Sequence, residues 1–420
     1  MTTPAPTRVT RARIRGPIIA AAFTIGLLAA WPVARSPLID LETLAPAHAA
    51  HLSHGAAFVV LAPFCDVLDA LTLLGVAQNI VFIASLAAVY VAWRVLRWRY
   101  SGARPGREVR LALRALGALI AIYGIGIVAP RPMTRLTLDD PADVAVDVHS
   151  HTSASHDGRP GFDADANRAW HRAAGFDVAY ITDHKSYDGA ADAARKNPAR
   201  AGDSLVTLSG IELIAHGVHV LALGATPRTD VWLHVDPRRV PPSHLPPGFR
   251  EPVLIQTIPD NLDRLSAPDA EGRHGVLGIE LSDGAPRGIQ QGQRDRRRIL
   301  RIADSLDLAV VAGSNNHGWG RTAVAWSVLR IPGWRALSPD SLGARIEDRI
   351  RSGRRHAVRI VARRSPDPNG SAALLAATLP AVVWNVVLTL APGERVSWII
   401  WTWIATVLAM RADLRRRDAA

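Results

Sequence analysis

The chain has 420 residues and a formal net charge of +12, and its basic residues are almost all arginine, since lysine occurs only as Lys185 and Lys196. This length allows two or three structural units. The positive charge clusters beside apolar segments, and the sequence has no zinc-finger spacing, internal repeat or aromatic nucleic-acid-binding motif. We therefore predict a membrane partner and no nucleic acid. The single cysteine, Cys65, excludes an intramolecular disulfide.

The first part of the chain is dominated by apolar runs. Each run approaches the roughly 20 residues that cross a bilayer. We therefore predict a membrane region over residues 1–134 with about four transmembrane helices, near 17–34, 56–75, 78–96 and 111–130. An arginine-rich flank precedes the first run, as in a signal anchor. Asp66 and Asp69 interrupt the second run, and we expect them near an interface or a helix contact.

The last part of the chain, residues 366–420, has a similar composition. Two apolar runs, 371–392 and 396–410, predict a membrane hairpin that is followed by a basic tail. We expect an integral, multi-pass protein of a bacterial-type inner or plasma membrane, in contact with the lipid bilayer. Six spans and the positive-inside rule favour a cytoplasmic soluble domain, but the basic linker 94–114 then lies outside, so the side of the membrane stays open.

Residues 135–365 alternate strand-like and helix-like runs, which predicts a separate α/β domain. The run VAVDVHSH ends in two histidines that share one strand face, because residues two apart on a strand point the same way. Other strand-like runs also carry ligand-type residues near their ends, and Asp157 follows in a Ser/Gly-rich loop. Side chains of this kind at one end of a sheet are typical of a metal site. The candidates are His149, His151, Asp157, Asp183, His184, Glu212, His219, Asn315 and His317.

Four segments resemble successive motifs of the PHP (polymerase and histidinol phosphatase) superfamily: HSHTSASHDG, ITDHKSYDG, GIELIAHGVHVLALG and GSNNHG. The resemblance covers roughly residues 140–365. It implies a distorted seven-stranded (β/α) barrel of the TIM type, here flanked by transmembrane helices. It also implies a metal-dependent phosphoesterase with two or three divalent ions, commonly zinc, manganese or iron.

The resemblance further implies how the ligands are shared. His149 and His151 with Glu212 are expected to hold one metal, and Glu212 is expected to bridge to a second metal with His219. A third metal is expected at Asp157, His184 and His317.

Two departures from the family pattern stand out. Asn315 occupies the position of an aspartate ligand, and an amide oxygen brings no charge, so we predict weaker metal binding there. A histidine that often follows the middle strands has no counterpart in VLIQTIPDNLDRL, and the nearest candidate is His274 in a polar loop. The site is therefore expected to hold fewer metals or to have weakened chemistry.

The predicted function is in-line attack of a metal-bound hydroxide on a phosphate ester near Glu212. Asp183, next to His184, is expected either to orient an imidazole or to cap the end of its strand. Lys185 or an arginine from a neighbouring loop is expected to bind the substrate phosphate. We interpret Glu280 as a substrate-side or structural residue. The substrate could be lipid-linked or bound at a surface. Two alternatives stay open, namely hydrolysis of carboxylic or carbamate esters and a non-catalytic, metal-binding sensor module. The proline-rich segment 226–251 is interpreted as a lid.

Overall fold

The computed structural model describes residues 8–101, 105–215, 218–229, 250–258, 262 and 275–418. The expected lid, 226–251, lies mostly outside these residues, and His274 lies wholly outside them. The helices are α1 (Arg8–Ala29), α2 (Ala56–Val60), α3 (Ala62–Thr72), α4 (Val76–Ser101), α5 (Pro105–Val128), α6 (Ala164–Ala174), α7 (Asp188–Ala194), α8 (Pro286–Leu306), α9 (Pro339–Gly353), α10 (Ala372–Ala376), α11 (Thr378–Thr389) and α12 (Pro392–Asp418).

The strands are β1 (Leu38–Asp40), β2 (Ala50–His54), β3 (Thr134–Leu138), β4 (Asp143–Ser150), β5 (Val178–Ile181), β6 (Val206–Ala215), β7 (Val218–Leu223), β8 (Val253–Gln256), β9 (Gly278–Ser282), β10 (Ala309–Ala312), β11 (Ala325–Arg330) and β12 (Arg359–Arg363). Strands β2 and β3 form a separate antiparallel pair. The other strands form one ten-stranded sheet in the order β1-β12-β11-β4-β5-β6-β7-β8-β9-β10.

This sheet is mixed, open and curled, and so differs from the closed seven-stranded barrel implied by the resemblance. Such a barrel needs parallel strands joined by helical crossovers. Here β6, β7 and β8 are antiparallel neighbours, and so are β4, β11 and β12. The curl nevertheless brings β10 back toward β11, where the amide of Ala312 donates to Ser327 Oγ at 2.8 Å.

The central strands are buried on both faces. Every residue of β4 is buried, and its alternate residues pack in different clusters, with Val144 and Val146 in one and Ala145 in the other. Helix α9 covers one side of the sheet with Leu342 and Ile346. Strands that are buried on two faces read as nearly continuous apolar runs, which is why β4 and β5 are readily visible in the sequence.

The helices near the two ends of the chain form what we call the helix layer, which consists of α1 to α5 and α10 to α12. Its core includes Leu27 of α1, Leu71 of α3, Phe82 of α4 and Val386 of α11. Among the described residues, three helical segments are long and apolar enough to cross a membrane: Gly16–Val33, Val76–Leu96 and Val109–Gly126. These overlap three of the six predicted spans.

The other three predicted spans differ in the structure. Segment 56–75 divides at Leu61 into a five-residue and an eleven-residue helix; eleven residues rise about 16 Å, roughly half of the bilayer's apolar core. Segment 371–392 divides in the same way into α10 and α11. Segment 396–410 lies in the longer helix α12, which is not among the three apolar segments.

The helix layer is joined to the sheet by a buried polar network around Asp69. Arg131 Nε donates to Asp69 at 2.8 Å, and Thr322 Oγ1 donates to the same carboxylate at 2.6 Å. Arg363 of β12 lies 3.5 Å away. Asp69 therefore lies at a contact between the helix layer and the sheet, where its charge is paired.

Candidate metal centre

The parallel strands β4, β5 and β6 direct several predicted ligands toward one place. His149, at the end of β4, and His151, just after it, lie with their Nε2 atoms 3.1 Å apart. Glu212 of β6 brings Oε2 to 3.0 Å from His149 Nε2 and 3.2 Å from His151 Nε2. We call His149, His151 and Glu212 the inner cluster. All three side chains are buried.

A second group of ligand-type side chains shares His151. Asp157 Oδ2 lies 3.6 Å from His184 Nε2 and 3.0 Å from His317 Nε2. The imidazole of His317 stacks on that of His151, with ring centres 3.9 Å apart. We call His151, Asp157, His184 and His317 the outer cluster. Apart from His151, its members are partly exposed.

Glu212 connects the two clusters. Its Oε2 lies 3.3 Å from His184 Nε2, and its other oxygen lies 3.4 Å from His219 Nδ1. Five imidazoles and two carboxylates of the predicted site residues therefore lie in one region. One carboxylate, that of Glu212, is close to four imidazoles and would contact a cation held by either group.

In two of these imidazoles, the ring nitrogen that faces away from the clusters is hydrogen-bonded to the protein. His149 Nδ1 donates to Glu280 Oε1 at 2.9 Å, and His317 Nδ1 donates to the backbone carbonyl of Asn315 at 3.1 Å. A carbonyl oxygen can only accept, so His317 Nδ1 carries a proton, and Nε2 faces Asp157. Partners of this kind fix the tautomer and orientation of metal-binding histidines.

The electrostatics of the inner cluster favour a positive charge between His149 and Glu212. Burial favours the neutral ring of His149, but the carboxylates of Glu280 and Glu212 outweigh it and hold the pKa of His149 well above its usual value. Burial likewise favours the neutral acid at Glu212, yet the charge of His149 and hydrogen bonds from both histidines hold its pKa well below the usual value. A metal cation in that place would supply the same positive charge.

His151 is electrostatically different. Burial and the neighbouring charges of His149 and His317 lower the pKa of His151 to about 3. The ring is therefore neutral, and a neutral imidazole is the form that binds metals.

The donor set fits divalent metals on geometric grounds. Within each cluster, one ligand atom from every residue lies within 4.8 Å of the others. His151 Nδ1 and His317 Nε2 are buried without a hydrogen-bond partner. His317 Nε2 lies 3.0 Å from Asp157 Oδ2 but is not aligned for a hydrogen bond. Two ligands of one cation can be placed in the same way. Neutral imidazoles with carboxylates suit zinc, manganese or iron.

Three predicted site residues have other surroundings. Asp183 is fully buried, and its two oxygens accept from the amide and hydroxyl of Thr152, each at 2.6 Å. It therefore holds the loop after His151, and among the described residues its hydrogen bonds go to Thr152 and not to an imidazole. Lys185 is exposed beside His184, with a backbone φ of 58°.

The side chain of Asn315 contacts a buried acid, Asp283. Its amide nitrogen donates to Asp283 Oδ2 at 3.2 Å, while its buried Oδ1 has no hydrogen-bond partner. Burial and the adjacent Glu280 raise the pKa of Asp283 to about 8. Asn315 therefore makes two contacts: its side chain contacts the buried acid Asp283, and its backbone carbonyl orients His317.

One pair of residues around the site was not predicted from the sequence. Asp147 is fully buried and accepts from His171 Nε2 at 2.8 Å. Its other oxygen accepts from the amides of Ser314 and His149, at 2.9 and 3.1 Å. Asp147 therefore ties the end of β4 to the loop that carries His317. The only sequence signal was an acid in an otherwise apolar strand.

No protein-family model matches the chain, and no curated protein matches it. Solved structures that are similar to it include PsfC from Pseudomonas syringae PB-5123, with a TM-score of 0.30 and 14% identity over 56% of this chain and 96% of PsfC. A two-domain protein from Bacteroides vulgatus ATCC 8482, described as containing a predicted PHP-like metal-dependent phosphoesterase, has a TM-score of 0.28 and 13% identity, covering 48% of this chain and 63% of that one.

An amidohydrolase from Chromobacterium violaceum, with bound sulfate and no metal, has a TM-score of 0.28 and 16% identity, covering 46% of this chain and 89% of that one. At these values the likeness says nothing about the chemistry of the present chain. That chemistry has to be read from its own side chains.

Proposed function

We propose that this chain is a metal-dependent hydrolase that cleaves phosphate esters. The observation that supports this most directly is the convergence of four imidazoles and two carboxylates into two clusters that share His151, with His219 beside Glu212. A group of this size, partly buried and with the neutral ring of His151 shared by both clusters, has no structural role as evident as binding cations. The motif resemblance to PHP phosphoesterases points to the same reaction class.

Each cluster would contribute to the reaction through its own residues. His149, His151 and Glu212 would hold one divalent ion, and His151, Asp157, His184 and His317 would surround another. Such ions polarise phosphoryl oxygens and make water acidic enough to attack at neutral pH. Glu280 and the carbonyl of Asn315 keep two rings oriented, and Lys185 can reach a substrate phosphate from the exposed side of His184.

The test begins with metal analysis of the purified full-length protein, followed by turnover on phosphomonoesters, phosphodiesters and carboxylic esters. We expect bound divalent metal and turnover of phosphate esters. His149→Ala and His184→Ala should each lower the metal content and reduce turnover by at least about 100-fold. His51→Ala is a suitable control, because His51 is an exposed histidine that pairs with Asp139 far from the clusters in sequence.

Two outcomes would contradict the proposal. The site assignment is wrong if either histidine variant keeps both full turnover and full metal content. The reaction class is wrong if the protein binds metal but hydrolyses only carboxylic or carbamate esters, or no ester at all.

A further inference from the structure

A cavity of about 480 Å³ opens beside the outer cluster and reaches the helix layer. Asp157 and His317 line it at one end. Leu71 and Leu74, from α3 and the turn that follows it, line the other end together with Asn79 of α4. One continuous space therefore joins the candidate metal ligands to apolar residues of the helices.

The wall between these two ends is both cationic and aromatic. Trp319 lines the cavity with about half of its surface exposed, and the guanidinium of Arg159 lies 5.0 Å from its ring centre. Arg321 also lines the cavity. A cation over an aromatic face holds the ring in place while the rest of the ring stays available for apolar contact.

The loop that carries His317 is attached directly to the helix layer. Arg321 Nε donates to the carbonyl of Val128 at 2.8 Å, and Thr322 donates to Asp69 of α3. Val128 ends α5, and both α4 and α5 contain segments long enough to cross a membrane. The cavity thus lies where the ligand loop meets helices that have the composition of membrane spans.

We infer that the substrate is an amphiphile, a phosphate ester that carries a long hydrocarbon chain; this rests on the proposed function. The phosphate lies at the outer cluster beside Arg321, and the hydrocarbon lies against Trp319 and the apolar end of the cavity at Leu71. A small water-soluble ester would reach only the polar end of the cavity. During hydrolysis the oxygen of water bonds to phosphorus, the bond from phosphorus to the ester oxygen breaks, and that oxygen takes up the proton.

The length of the substrate's hydrocarbon chain is the variable that tests this inference. Each methylene group moved out of water tightens binding roughly fourfold. We would measure kcat/KM of the full-length protein in detergent micelles with manganese, on nitrophenyl phosphodiesters that carry a butyl or a dodecyl chain. We expect the dodecyl ester to exceed the butyl ester by at least about tenfold, since only part of the chain is buried.

Two variants test whether the hydrocarbon chain binds in this cavity. Trp319→Ala should lower the dodecyl-to-butyl ratio of kcat/KM at least about fivefold. Thr72→Trp, which fills the cavity from the helix side, should lower the ratio as well. Trp384→Ala is the matched control, because Trp384 of α11 is similarly exposed and does not line the cavity; its ratio should equal that of the unmodified protein in the same micelles.

A binding measurement removes any dependence on turnover. Butylphosphonate and dodecylphosphonate cannot be hydrolysed, and calorimetric titration should show tighter binding of the longer chain and a smaller difference in Trp319→Ala. Equal values for both chain lengths, or an unchanged ratio in both cavity variants, would overturn the inference while the hydrolase proposal stands. Absence of turnover on every phosphate ester would instead overturn the proposed function and this inference with it.

Discussion

The inner and outer clusters share His151 but are built differently. His149 and Glu212 of the inner cluster belong to strands β4 and β6, whose backbones are held by the sheet, and both are almost completely buried. Asp157, His184 and His317 of the outer cluster stand on loops between elements and are partly exposed. Ligands on regular elements are placed more precisely than ligands on loops.

The difference indicates two roles. We expect the inner cluster to hold its metal more permanently, because all of its donors are buried and leave a metal few routes to exchange. The outer cluster borders the cavity, where a substrate can approach it. The two clusters are expected to be coupled in charge, because they share His151 and because Glu212 of the inner cluster lies 3.3 Å from His184 of the outer one. Three substitutions test this difference between the inner and outer clusters.

The largest effect is expected for Glu212→Gln, which preserves shape but removes the charge that both clusters share. Glu212 lies near His149, His151, His184 and His219. We expect metal loss from both clusters, an affinity decrease of more than about 100-fold and a comparable loss of turnover. Metal analysis and ester hydrolysis measure these changes.

Glu347→Gln is the control for this change, since Glu347 is another buried acid of the same domain but is paired with Arg250. It should keep the full metal content. A Glu212→Gln protein that binds as much metal as the unmodified chain would rule out a shared, charge-supplying role for Glu212.

A smaller and more selective effect is expected for Asp157→Asn, because Asp157 belongs only to the outer cluster. The variant should lose about one metal equivalent and keep the inner one, with turnover reduced about 10- to 100-fold. Asp192→Asn is matched in side-chain exposure, at 40% for both aspartates, and lies in an exposed pair with Arg195. Loss of all metal from Asp157→Asn would show that the clusters do not bind independently.

The smallest effect is expected for Asn315→Asp. Restoring a carboxylate should tighten metal binding, but by less than about tenfold, because the new charge also faces the buried carboxyl of Asp283. Competition with a chelator measures the change. Unchanged or weaker affinity would mean that Asn315 contributes through its contacts with Asp283 and His317 and not as a ligand.

Much of the candidate site could be predicted from the sequence because its signals are local. A strand alternates its side chains, so HSH after an apolar run puts two imidazoles on one side whatever the rest of the chain does. Asp147, His171 and the tautomer-fixing carbonyl of Asn315 could not be predicted in this way, because their contacts join positions far apart in sequence. The hydrogen bonds from Thr152 to Asp183 could not be predicted for the same reason.

The barrel and the spans differ from expectation for identifiable reasons. Strands β6 and β7 are separated by only two residues, too few for a parallel crossover, and the seven-strand expectation overlooked this signal. Segments 56–75 and 371–392 place Leu71 and Val386 in the core of the helix layer, while Phe64 and Trp384 of the same segments are exposed. Hydropathy cannot distinguish a bilayer from a protein core, since both remove apolar surface from water.

The sequence by itself determined that an α/β unit between apolar segments carries imidazoles and carboxylates at its strand ends, because alternation and hydrophobic runs are properties of neighbouring residues. Only the tertiary structure decided that these side chains form two clusters that share one histidine and that one glutamate contacts both of them. The same is true of the open sheet and of the cavity that meets the helix layer. Curl, pairing order and helix packing depend on contacts between residues separated by many positions in the chain, and such contacts leave no periodic pattern.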